Sequence, residues 1–239
     1  MSFTGSLTRG LVAGVCAGIL AALFAFVVAE PTLDRAIALE AAHSHAVGTT
    51  EHVDAPAVSR DVQRRAGGPA GLVAVGAALG LLFGLVYAAL RTGGTARNHW
   101  LRSLQLGVSG AAVFLVVFLR YPPNPPGVGD PDLVDQRTRY YFAALLLGLA
   151  VVTGSWRLAT YLQARGWVQS RRQLVVALSA GVVVAVGYLA LPAVRDDITI
   201  PAALLWDFRL QALATQLLLW AGLAAVFGLL TERAATRSP

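Results

Sequence analysis

The chain contains no lysine; its basic charge is carried by 19 arginines. Without lysine there is no P-loop, whose Gly-Lys-Ser/Thr grips nucleotide phosphates, and no Schiff-base amine. The single cysteine, Cys16, cannot form an intrachain disulfide and reads as a small apolar packing residue inside the first apolar run. No metalloprotease or zinc-finger spacing occurs, and no nucleophile–base constellation, so the chain does not read as an enzyme. Acids are scarce too, 13 in 239 residues, and every one but Glu232 lies in alternate segments between apolar runs. A soluble protein with a net charge of +6 would suggest nucleic acid. Here the arginines flank apolar runs, so the partner they suit is an anionic lipid surface.

Those runs are the dominant feature. Six stretches carry no charge: Gly10–Ala29, Ala66–Leu90, Ser103–Leu119, Tyr140–Trp156, Gln173–Val194 and Leu210–Thr231. A spanning helix needs about 20 apolar residues. The pattern therefore predicts an all-α polytopic membrane protein of one domain, 1–239. Six transmembrane helices at about 10–29, 67–90, 101–119, 140–157, 174–191 and 210–230 form three helical hairpins. The outer loops are 30–66, 120–139 and 192–209.

Charge orients the bundle. With the N-terminus inside, the inner segments hold ten arginines and one acid, and the outer segments nine arginines and twelve acids. By count of basic residues alone the split is nearly even. Loops 91–102 and 157–172, however, hold three and four arginines with no acid. Both termini are expected in the cytoplasm, in the inner membrane. The first run exceeds the 7–15-residue apolar region of a cleaved signal and reads as an anchor.

Prolines punctuate the outer side. Glu30-Pro31, Tyr121-Pro122 and Leu191-Pro192 are expected to end helices, because proline lacks a donor and disfavours helix in its predecessor. Gly10, Gly14 and Gly18 recur every four residues, as do Gly76, Gly80 and Gly84; this spacing predicts a close-packed pair of spans. Trp100, Trp156, Trp167, Trp206, Tyr121, Tyr140 and Tyr141 fall near span ends, as interfacial anchors do.

Two outer segments hold candidate chemistry. Glu40, His43, His45, Glu51, His52 and Asp54 lie within fifteen residues and offer imidazole nitrogen and carboxylate oxygen, donors suited to Co²⁺, Ni²⁺ or Zn²⁺. His43 and His45 share a side only if the chain there is extended. A solvated polar loop and a weak capture surface both remain open. The second segment, Arg120-Tyr121-Pro122-Pro123-Asn124-Pro125-Pro126-Gly127-Val128-Gly129-Asp130-Pro131, is stiffened by five prolines. It is expected to form a rigid outer lip that carries Asn124 and Asp130 toward Glu30 and Glu40. The span cores hold no ionisable side chain, only groups such as Gln105, Ser109, Thr153, Ser155, Ser179, Thr215 and Gln216. Proton-coupled carriers place carboxylates or imidazoles there. A bare divalent cation would need help from water, backbone carbonyls or a partner subunit.

Several stretches resemble the CbtA family of proposed cobalt transporter subunits. They are Gly10-Leu11-Val12-Ala13-Gly14 leading into Glu30-Pro31, Asp34-Arg35-Ala36-Ile37 with Glu40, and Val58-Ser59-Arg60-Asp61-Val62-Gln63. The Arg120–Pro131 segment and Leu205-Trp206-Asp207-Phe208-Arg209-Leu210 complete the likeness. The resemblance implies a membrane subunit for uptake of cobalt or nickel, with Co²⁺ as substrate and no tightly bound cofactor. It also implies a small single-span partner, a CbtB-like subunit with histidines near one end. The metal-facing set expected from both lines is Glu30, Glu40, His43, His45, His52, Asn124 and Asp130. A non-conducting assembly subunit is the competing expectation.

Overall fold

The computed structural model describes residues 2–47, 59–91, 98–126, 128–194, 198 and 200–236. Among these there is no strand. Helix α1 (Phe3–Phe24) runs through a wide π-turn (Ala25–Ala29) into α2 (Glu30–Val47). A short α3 (Arg60–Val62) runs through a second wide turn (Gln63–Gly67) into α4 (Gly68–Arg91). Then come α5 (His99–Arg120), a 3₁₀ turn (Pro131–Leu133) leading into α6 (Val134–Ala164), α7 (Gln169–Ala190) and α8 (Ala202–Thr236). Six helices are long and apolar enough to cross a membrane: Phe3–Ala42, Gln63–Leu90, His99–Arg120, Val134–Ala164, Gln169–Ala190 and Ala202–Thr236. They coincide with the six charge-free runs.

The prolines divide into two kinds. Tyr121-Pro122 and Leu191-Pro192 do end helices, at Arg120 and Ala190. Leu191 is extended (φ −80°, ψ 126°), as a residue before proline prefers. The expectation fails at Glu30-Pro31, where the helix continues to Val47. It fails likewise at Gly67-Gly68-Pro69, where the helical run already begins at Arg60. The reason is shared. Pro31 and Pro69 each follow a wide turn by two residues. In an α-turn the proline ring would strike the carbonyl four residues back. A π-turn hydrogen-bonds five residues back and moves that carbonyl aside; the Glu30 N–H reaches Ala25 O in this way. Among the described residues of 120–139 only 121–126 and 128–130 are non-helical, because α5 takes up Arg120 and the 3₁₀ turn and α6 take up the rest.

The chain forms two compact units. The first comprises Met1–Val108, Asn124–Gly127 and Ile200–Pro239. Its centre is the seam of α1 with α4, and here the glycine triplets interlock. A Cβ on Gly10 would lie 2.2 Å from Gly80 O, one on Gly14 2.1 Å from Gly76 O, and one on Gly18 2.8 Å from Val73 Cα. Rising numbers on α1 meet falling numbers on α4, so the helices are antiparallel with their backbones in direct contact. Hydrocarbon supplies no hydrophobic drive between helices, and such close approach maximises dispersion instead. Helix α8 packs against α1, with Gly222 facing Ala17, and also reaches α4. Phe227 meets Phe83 and Tyr87 edge-on, with centroids at 5.1 and 4.9 Å. Ser103, fully buried, donates to Ala224 O at 2.6 Å and ties α5 to α8. Tyr87 Oη lies 2.6 Å from His99 Nδ1.

The second unit comprises Ser109–Pro123 and Val128–Thr199. Gly148 on α6 lets the backbone of Val113 on α5 approach, and Gly187 on α7 receives the Leu147 side chain of α6. Trp156 Nε1 donates to Ser109 Oγ at 3.0 Å, and the Tyr188 hydroxyl donates to Val116 O. No residue of α7 is fully buried.

Candidate functional site

One end of the first unit gathers α2, the start of α8 and residues 124–126. Thr32 is buried at 5% exposure and accepts from Gln211 Nε2 at 2.8 Å, which pins α2 to α8. Thr32 reaches α8 because the helix continues past Pro31. Two residues before Gln211, Arg209 Nη2 donates to Asn124 Oδ1 at 2.9 Å, and its guanidinium sits 6.0 Å from the Trp206 ring centre. The acids near this end are partly engaged. Asp34 pairs with Arg64 at 3.3 Å, and Arg64 lies over Phe26 at 5.7 Å. Asp61 pairs with Arg65 at 2.8 Å, one helical turn away and exposed, a contact of little energetic value.

In the second unit, the ends of the Pro-rich segment are fastened. Arg120 Nη2 donates to Leu191 O, and Tyr121 Oη donates to Pro192 O at 2.8 Å. Tyr121 stacks on Tyr140, 6.3 Å between centroids and 19° between planes, and Gln136 donates to Tyr140 Oη at 3.0 Å. Gly129 adopts φ +117°, a backbone region open to glycine, and the Arg137 guanidinium fills the place a Cβ would need, 2.4 Å from it. Asp130 Oδ1 accepts from the Asp132 N–H at 2.9 Å and caps the turn into α6.

The expected metal-facing residues lie on α2, in the segment after it and along the Pro-rich segment. Glu30 is half-buried at the start of α2, and Glu40 is exposed three turns later. His43 and His45 fall in the last turns of α2. In a helix, positions two apart lie about 200° apart around the axis, so these two do not share a face, whereas positions 40 and 43 are neighbours. His52 lies outside the described residues. Asn124 belongs to the first unit and Asp130 to the second. Among the described residues no three His, Cys, Asp or Glu side chains gather at one point.

Sequence reasoning did not single out Thr32, Gln211, Arg137 or Arg209 as holding residues. Arg209 had a signal, since it sits in the Trp206-Asp207-Phe208-Arg209 stretch in the first turns of α8. The Trp residues also split. Trp167 and Trp206 are exposed, at 43% and 58%, as interfacial anchors are. Trp156 instead bridges helices, and the Trp100 ring packs at Gly228. Two of the span hydroxyls bond within their own helix: Thr153 donates to Leu149 O at 2.7 Å and Thr215 to Gln211 O at 2.8 Å.

Six long apolar helices, two of them joined by closely packed glycines, define a polytopic α-helical membrane protein. The model of the CbtA family, described as probable cobalt transporter subunit, matches residues 3–232. The chain belongs to that family. No curated protein and no solved structure matches it.

Proposed function

We propose that this chain is the six-span subunit of a cobalt uptake system in the cytoplasmic membrane, with three helical hairpins and both termini inside. Nickel is a second substrate of the same class. The family match across residues 3–232 carries the cobalt assignment. The uncharged span cores carry the assignment of a partner: a divalent cation needs ligands that these cores do not supply. That partner is a small CbtB-like single-span subunit with terminal histidines, and anionic lipids surround the arginine-flanked ends.

Glu30, Glu40, His43, His45 and His52 form a weak collecting surface on the outer side. Asn124 and Asp130 act there through the Pro-rich lip. The Arg209–Asn124 bond in one unit and the Asp130–Asp132 bond in the other each support a fixed local shape at that point of the segment. A guanidinium on Asn124 Oδ1 makes that oxygen a positioning group ahead of a direct ligand.

The test is accumulation of radiolabelled cobalt in a metal-uptake mutant given this chain, the partner, or both. Both together should restore saturable uptake, and either alone little. Replacing His43, His45 and His52 by Ala should raise the cobalt concentration for half-maximal uptake several-fold without changing chain abundance. Full uptake from this chain alone would remove the partner from the scheme. No uptake from the pair would assign the chain to assembly.

A further inference from the structure

The turn between α6 and α7 carries the densest uncompensated charge in the second unit. Arg157, Arg165, Arg171 and Arg172 fall within sixteen residues, with no acid from residue 136 to 195. The nearest described acid along α6 is Asp135, 30 residues before Arg165. At 1.5 Å per helical residue that is about 45 Å, several Debye lengths at physiological salt. Among the described residues of this unit, no acid therefore neutralises the cluster.

The turn itself is well built. The N–H groups of Arg165, Gly166 and Trp167 donate back to Tyr161, Gln163 and Leu162 carbonyls at 3.1, 3.0 and 3.1 Å. Gly166 takes φ +74° to close it. The Arg165 guanidinium lies 4.8 Å over the Tyr161 ring. Tyr161, Trp167 and Val168 are 53%, 43% and 66% exposed, so an apolar, aromatic rim adjoins the arginines. Arg171 and Arg172 also occupy the first turn of α7, where the helix dipole disfavours cations, and Val168 offers no side-chain cap. Arginines with no described acid beside them in their own unit, bordered by rings suited to the headgroup layer, match a ligand that is anionic at one end and apolar at the other.

We propose that the α6–α7 turn is a binding site for an anionic glycerophospholipid of the adjoining leaflet, its phosphate held by Arg157, Arg165, Arg171 and Arg172 and its acyl chains beside Tyr161 and Trp167. This rests on the reading that the helices cross a membrane, and it is independent of cobalt.

The full chain is placed in nanodiscs of phosphatidylcholine alone or mixed with phosphatidylglycerol, and its apparent Tm is read without cobalt. Phosphatidylglycerol should raise Tm by at least about 5 °C, given the attraction of several arginines to an anionic surface. Inorganic phosphate added to phosphatidylcholine discs should not. R165Q/R171Q and the quadruple glutamine variant should melt like the native chain in phosphatidylcholine and lose the gain. R91Q/R97Q should keep it. A quadruple lysine variant, with charge but no bidentate fork, should retain part. Equal gains in native and R165Q/R171Q chains would overturn the proposal, as would a gain from phosphate alone or an equal loss in R91Q/R97Q. Failure of cobalt uptake leaves these readings untouched.

Discussion

Gly80→Ala tests the central seam. A Cβ there would stand 2.1 Å from Gly10 O and 2.7 Å from Gly14 Cα. Ordinary contact begins near 3.4 Å, so α1 and α4 must part by about 1.3 Å at this level. Both obstacles are backbone, and no side chain can rotate away. A radial gap of 0.5–1 Å already forfeits about a quarter to half of a dispersion contact. Overpacking costs about 1–3 kcal/mol, and a backbone clash belongs at the upper end. Alanine's better helix propensity returns about 1 kcal/mol, leaving a net loss near 2 kcal/mol. For a chain of this length that is a fall in Tm of roughly 4–8 °C. Gly154 on α6 and Gly181 on α7 supply the control, because a Cβ on either meets nothing within 4 Å. Gly154→Ala and Gly181→Ala should raise Tm by roughly 2–4 °C through helix propensity. Thermal unfolding of all three in one detergent decides the matter. If Gly80→Ala melts at or above the native chain, the interlocked-backbone account is wrong.

Two further outcomes are expected. In a Cys16→Ala background, cysteines at Thr49 and Asp132 should react with an impermeant maleimide in intact cells, and one at Arg165 only after lysis; labelling at Arg165 from outside would invert the topology. Asn124→Ala removes the acceptor of Arg209 and should lower Tm by roughly 3–10 °C, because a hydrogen bond to a charged group contributes about 1.5–3 kcal/mol. Asp132→Ala, whose backbone alone meets Asp130 Oδ1, should shift it by less than about 2 °C.

The helices were legible because their signal is long. A charge-free run of some twenty residues admits few other readings, and all six runs became helices. The α1–α4 seam was legible for a related reason: four-residue spacing of glycine survives translation directly into geometry. Proline was the weaker guide. At Pro122 and Pro192 its local rule decided the outcome. At Pro31 and Pro69 a wide turn upstream relieved the clash, and nothing in Ala25-Phe26-Val27-Val28-Ala29 announces that turn. The site was legible only in outline. Asn124 stood out among prolines, but its partner Arg209 lies 85 residues away. Thr32 and Gln211 are ordinary polar residues 179 apart, and no local pattern pairs them. His43-Ser44-His45 suggested convergence if extended, and the helix through Val47 separates the two positions instead.

The two wide turns also set the rotational phase of α2 and α4. A π-turn holds one residue more than an α-turn, and each residue rotates the helix by about 100° about its axis. The face that α2 turns toward α8 is thus fixed by a single surplus residue within Ala25–Ala29. Removing one residue there would restore an unbroken α-helix up to the proline. It would also swing Thr32 away from Gln211 and Asp34 away from Arg64 together. Along these helices the count of residues, as much as their identity, decides which outer groups meet.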